Sequence, residues 1–335
     1  MNFDFNDEQR EIKSTARDFL GSRFKAETVR QLAERENPYD DALWRQISDL
    51  GWPGIAIAEE YGGLGLGVVE LVILQEELGY VCAPSPFISN AVAGLVIEAA
   101  GSDEQRTRWL PGIASGEARG AAAMTADESP IVGAAAGSSV IVINDHDGGH
   151  LLETSAATLE RLDLIDTTRA YFRVSGDGGD PLPGGPEIAM AAIDRATVAL
   201  SAELVGVAQR ALDMAVEYAK EREQFGRPIG AYQAVSHRCA EMLWAVEEAR
   251  SLLYYAAWCA DAQPETLPLA ASMSNARASD AATSVTHNAI QVLGGIGFTW
   301  EHDVHFFLKR ARVVAHLLGS ASMHRGRVAE LAGLG

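Results

Sequence analysis

With 335 residues, 47% of them hydrophobic and 22% charged, the chain has the balance of a folded protein and is too long for one core to suffice, so two or three packed units are expected. The net charge of −19 argues against a nucleic-acid partner, whose phosphates it would repel. Three scattered cysteines, Cys82, Cys239 and Cys259, with no CxxC pair, argue against a disulfide framework or a thiolate zinc site and fit a reducing cytoplasm.

The opening MNFDFNDEQREI lacks the basic and apolar regions of a signal peptide. No apolar run nears the roughly 18 residues of a membrane span, so a soluble cytoplasmic chain is expected. Asn6 and Gln9 form a capping box ahead of an amphipathic helix through Phe19 and Leu20. A second helix is predicted from Asp41 to Leu50, ended by Gly51 and Pro53. Glu59 to Gly67 packs four glycines into a loop before the apolar helix Val68 to Leu78. No strand precedes that loop and its spacing is wrong for a dinucleotide fingerprint, so a Rossmann unit is excluded. Ser89 to Ala100 and Asp103 to Ile113 complete an all-helical unit over residues 1–117.

Composition then changes. Arg119 to Thr125, Ser138 to Asn144 and Arg169 to Val174 are short strand-like runs, broken by turn residues at Asp145 to Gly149 and Gly176 to Pro181. They predict a small, abbreviated β unit over 118–186. From Ala189 helices return. Leu204, Val207, Ala208, Ala211, Leu212, Ala215, Tyr218 and Ala219 recur at helical spacing, and Gly226 and Pro228 are read as the stop. Further helices are predicted from Gln233 to Ala260, Leu267 to Leu293 and Glu301 to Leu317, making residues 187–335 a four-helix bundle. The fold class is therefore mainly α with a small β domain.

An arginine and a phenylalanine at a helix end beside a proline, Arg222 and Phe225, are placed to grip a flat, phosphate-bearing ligand; the same residues also read as an ordinary helix-to-helix turn. Here the sequence resembles the acyl-CoA dehydrogenases. Glu221 to Ile229 (EREQFGRPI) with Gln233 carries the likeness, as do Ala58 to Gly65 (AEEYGGLG), Leu110 to Glu117 (LPGIASGE), Asp166 to Arg169 (DTTR) and Gln291 to Phe298 (QVLGGIGF). These run in the family's order across nearly the whole chain.

The resemblance implies FAD as cofactor and an acyl-CoA thioester as substrate, desaturated between its α and β carbons. No side chain accepts a hydride, so such a reaction requires a redox cofactor. By the same resemblance, Arg222, Gln224 and Phe225 contact the diphosphate and flavin side of FAD, with Ile229 and Gln233 close by. Gln291, Gly294 and Gly295 contact its adenine end, and Ser320 matches another cofactor position. In the tetrameric family these residues act across an interface, on FAD held mainly by a neighbouring subunit.

The family's α-proton base is a glutamate at one of two places. Here those places hold Leu318 and Ala196, neither of which takes a proton. Nearby substitutes are Glu203, Asp194, His316 and His324, each also readable as a packing or capping residue. His302 and His305 have a spacing that places two ligands on one helix face, but without a carboxylate motif no metal is expected. The combination is similar to the base-less subunit of α2β2 members that act on steroid-type thioesters beside a homologous, base-bearing partner. Two alternatives stand beside it: a self-sufficient homo-oligomer with a displaced carboxylate, and a helical partner subunit that no longer handles FAD. An electron-transfer flavoprotein is a compatible acceptor for so acidic a surface.

Overall fold

The computed structural model describes residues 4–123, 131–143, 149–176 and 178–334. Helix α1 (Asp7–Arg23) opens on the capping box: Asn6 Oδ1 accepts from Gln9 N at 2.8 Å, and Gln9 Oε1 accepts from Asn6 N at 3.0 Å. Five helices follow before the first strand: α2 (Ala26–Ala33), α3 (Asp41–Asp49), α4 (Val68–Tyr80), α5 (Phe87–Ala100) and α6 (Asp103–Ser115). Helix α2 was not legible in the sequence. Helices α4 and α5 are apolar on nearly every side, and almost every residue of both is buried.

The β unit holds two sheets, ordered β1-β3-β4-β7 and β2-β6-β5. Its strands are β1 (Gly120–Ala123), β2 (Ile131–Gly133), β3 (Val140–Ile143), β4 (His150–Glu153), β5 (Thr158–Leu162), β6 (Tyr171–Ser175) and β7 (Asp180–Pro181). Strands β1 and β3 pair in parallel, and the other pairs are antiparallel. Period-two alternation divides the side chains between two cores. Ala122, Val140 and Val142 join the main helical core, while Ala121, Ala123 and Ile141 face Leu152, Phe172 and Val174 in a second, smaller one. The predicted strand ends at Thr125 and Asn144, the turn residues 145–148 and Asp177 lie outside the described residues.

The C-terminal unit comprises α7 (Gly185–Glu221), the hairpin β8 (Glu223–Gln224) and β9 (Arg227–Pro228), then α8 (Gln233–Ala262), α9 (Leu267–Leu293), α10 (Val304–Val314) and α11 (Ala321–Leu331). Two expectations need correction. Helix α7 stops at Glu221 rather than Gly226, because Phe225 (φ +53°) and Gly226 (φ +81°) form the two-residue turn of a hairpin. Helix α10 is shorter than predicted, and α11 extends the bundle by a fifth helix that packs on α9. Helices α4 and α7 meet backbone to backbone. A Cβ on Gly79 would lie 2.3 Å from Glu203 O, and one on Gly206 would lie 2.0 Å from Glu76 O, so neither crossing point admits a side chain. Among the described residues no helix is long and apolar enough to cross a membrane.

Candidate functional site

Helix α8 returns antiparallel to α7 after the hairpin, and α9 returns after the short turn at 263–266, so the C-terminal ends of α7 and α9 lie at the same end of the bundle. That end gathers Arg222, Gln224, Phe225, Ile229, Gln233, Gln291, Gly294 and Gly295. Arg222 is exposed and its side chain makes no ion pair among the described residues. Phe225, in the left-handed region, is 93% exposed. The turn is braced by Tyr232, whose hydroxyl donates to Gln224 O at 3.0 Å while the Arg227 guanidinium lies 4.1 Å from its ring centre. Ile229 is half-buried against the core, and Gln233 and Gln291 are exposed. Gly294 (φ +63°) and Gly295 form an open shelf, since a Cβ on either would meet nothing within 4 Å. An unpaired guanidinium, a bare aromatic face and an open glycine shelf suit a diphosphate joined to flat rings.

Next to the shelf stand residues that periodicity did not flag. Phe298 and Trp300 are exposed, with Lys309 Nζ 4.1 Å from the Trp300 ring centre and the His305 ring edge-on to it at 4.8 Å. Arg30 of α2 fixes this turn by pairing with Asp303 at 2.6 Å and donating to the carbonyls of Trp300 and Glu301. Burial and the Lys309 charge push His305 down to about 4, so its ring is neutral at pH 7. His302 Nδ1 accepts from Val304 N at 3.2 Å. Among the described residues no group of three or more His, Cys, Asp or Glu is placed to hold a metal.

The two base positions are fully packed. Ala196 is buried in α7. Leu318 follows α10 with φ +57°, and its carbonyl faces His324 Nε2 at 3.0 Å. A carbonyl only accepts, so Nε2 carries the proton, and burial lowers the His324 pKa. Beside Ala196, Asp194 is buried and held by both terminal nitrogens of Arg327 from α11. Ser320 spends its hydroxyl capping α11, accepting from Met323 N at 3.2 Å. His316 is exposed.

Glu203 sits in a wholly buried cluster. Its Oε1 accepts from Arg169 Nη2 at 2.8 Å and Arg310 Nη1 at 2.5 Å, and its Oε2 accepts from Gln75 Nε2 at 2.9 Å. Arg310 also donates from Nε to Asp166 at 2.8 Å, and Asp166 in turn accepts from Thr168 N at 2.9 Å and the Tyr171 hydroxyl at 3.1 Å. Burial alone would raise the Glu203 carboxyl, but the two arginines outweigh it and hold it below the usual carboxylate range. Asp166 and Arg169 belong to a motif recognised in the sequence; Gln75 and Arg310 carried no local signal.

A helical unit, a two-sheet unit and an antiparallel bundle, with an exposed arginine, a bare aromatic and a glycine shelf at one end, make up the architecture. The acyl-CoA dehydrogenase N-terminal domain model matches residues 6–117 and the C-terminal domain model residues 184–332. The chain belongs to the acyl-CoA dehydrogenases, a family of FAD-dependent oxidoreductases. It is 32% identical to the acyl-CoA dehydrogenase IpdE2 of Mycobacterium tuberculosis over 94% of each chain. Among solved structures, a variant of the steroid ACAD Tcur3481-Tcur3483 superposes with a TM-score of 0.89 at 28% identity over 98% of each chain. The ChsE4-ChsE5 complex from Mycobacterium tuberculosis shares the fold, with a TM-score of 0.91 at 24% identity over 99% of each chain.

Proposed function

We propose that this chain is the base-less subunit of a two-component acyl-CoA dehydrogenase that desaturates a steroid-type acyl-CoA thioester, and that it works only beside a base-bearing homologue. One combination carries the reading: Arg222 and Phe225 stand exposed for a ligand, while both of the family's base positions hold buried, non-ionisable side chains, Ala196 and Leu318. The proton acceptor for the site that Arg222 and Phe225 serve therefore comes from another polypeptide. The steroid ACAD Tcur3481-Tcur3483 supports the substrate class and, by its two components, the paired assembly.

When bound, FAD supplies the hydride acceptor. This chain's part is to hold and orient. Arg222 supplies charge-assisted bonds to the diphosphate, Gln224 supplies an amide, Phe225 covers a ring face, and Gly294 and Gly295 let the backbone approach the adenine end. Neither Glu203 nor Asp194 acts as base in this reading, since each carboxylate is buried and already ion-paired. The test is expression alone and with its base-bearing homologue. The chain alone should hold little flavin and desaturate no acyl-CoA, while the pair should be yellow and active. An active, flavin-replete homo-oligomer would overturn the proposal.

A further inference from the structure

Beyond the turn beside the glycine shelf, and lined by none of Arg222, Phe225, Gly294 or Gly295, a cleft of about 300 Å³ opens where the end of α1, the start of α2, the end of α4, the middle of α7 and the start of α10 converge. Its walls are the apolar side chains of Phe24, Val29, Met214, Phe306 and Phe307. Two cations also line it. Lys25 is exposed and makes no ion pair among the described residues, and Arg210 is half-buried, its guanidinium 5.5 Å from the Tyr80 ring centre and its one ion pair among the described residues a long contact of 3.7 Å to the exposed Glu217.

The acids are already engaged. Asp303, which also lines the cleft, is neutralised by Arg30 at 2.6 Å, and Asp213 beside the cleft accepts from the Tyr80 hydroxyl and from Gln209, both at 2.8 Å. The cleft thus joins an apolar, aromatic interior to an excess of positive charge, in a molecule whose net charge is −19. Ligand sites of this kind span roughly 300–1,000 Å³, which puts this one at the small end and leaves no room for a nucleotide thioester.

We infer that the cleft binds a small amphipathic carboxylate, a medium-chain or small aromatic acid, with its apolar body among the phenylalanines and its carboxylate between Lys25 and Arg210. Such an acid is what hydrolysis of a short acyl-CoA releases. The site is separate from the FAD-gripping turn, so its failure would leave the dehydrogenase reading intact.

The test is calorimetric titration of the full chain with octanoate and with 1-octanol. Octanoate should saturate one site per chain with Kd on the order of 0.1–1 mM, the range that ligand efficiency allows for so few atoms. The alcohol, lacking the charge, should bind at least fivefold more weakly. Arg210→Gln should weaken octanoate about fivefold with an unchanged melting temperature, and Met214→Trp should fill the cleft and abolish binding. No saturable heat from octanoate, equal affinity for the alcohol, or an unaltered Arg210→Gln isotherm would each overturn the inference.

Discussion

Both oxygens of Glu203 are already in use, one by two guanidinium groups and the other by Gln75. A general base needs access to the substrate and a pKa matched to its proton; this carboxylate is wholly buried and held below the usual carboxylate range by two arginines. Its replacement by Gln would therefore act on stability. Glu203→Gln leaves Arg169 and Arg310 buried without one of their counter-charges and should cost about 3–5 kcal/mol in urea unfolding at pH 7. The folded pKa is depressed, so the contribution of Glu203 is fully present above the unfolded value of about 4.3 and disappears as pH falls through the folded one. The wild-type stability curve should drop steeply there and that of the variant should not; parallel curves would assign the acid sensitivity to other groups. Phe225 presents the opposite balance. Left-handed strain of about 1 kcal/mol is relieved in Phe225→Gly while roughly 0.5–1 kcal/mol of chain entropy is lost, so stability should stay within about 0.5 kcal/mol. The flavin content of the assembled pair should fall all the same, since the aromatic face is gone. The sequence alone marked Leu318 and Ala196 as non-ionisable, because that property belongs to single residues. It did not disclose that Glu203 was engaged, because Arg169, Arg310 and Gln75 lie 34, 107 and 128 residues away.

Local patterning set which elements could be read. Helix α9 matches its predicted bounds end to end, since a long buried stripe runs from Leu267 to Leu293. Helix α11 was invisible because His324 is its only fully buried residue, so it has no apolar stripe. The four-glycine loop before α4 was legible as a loop, but the reason for Gly67 lies 194 residues further on. Asp261, near the end of α8, caps α4 from outside: Oδ1 accepts from Val68 N at 2.9 Å and Oδ2 from Val69 N at 3.1 Å. A Cβ on Gly67 would stand 2.4 Å from Asp261 Oδ2. Asp261→Ala should lose about 1–2 kcal/mol, the usual value of an N-terminal cap. Gly67→Ala should also destabilise, but its cost should shrink by about 1 kcal/mol in the Asp261→Ala background, because the clash and the cap share one carboxylate. Thermal unfolding of the two single variants and the double one measures this coupling. Strict additivity would mean that the carboxylate moves aside.

At the scale of the whole molecule, helix length decides which residues can share a task. The end of the bundle that carries Arg222 and Phe225 is separated from Ala196 by most of α7, while Arg327 of α11 ties the Ala196 end together through Asp194. An assembly of this chain with a base-bearing homologue then contains two kinds of site. One takes its grip from this chain and its base from the partner; the other lies against Leu318 and Ala196 and has no base. On the proposed division of labour, only the first turns over. Arg222→Ala should therefore reduce both flavin content and turnover of the pair about tenfold or more, the equivalent of losing one charge-assisted contact of roughly 1.5–3 kcal/mol. Leu318→Ala, in the same assembly, should leave turnover within about twofold, because no working site depends on that side chain. Both are read by absorbance of bound flavin and by the initial rate of thioester desaturation. If Leu318→Ala proved as harmful as Arg222→Ala, the base end of this chain would line a working site, and the division of labour between the two polypeptides would have to be drawn elsewhere.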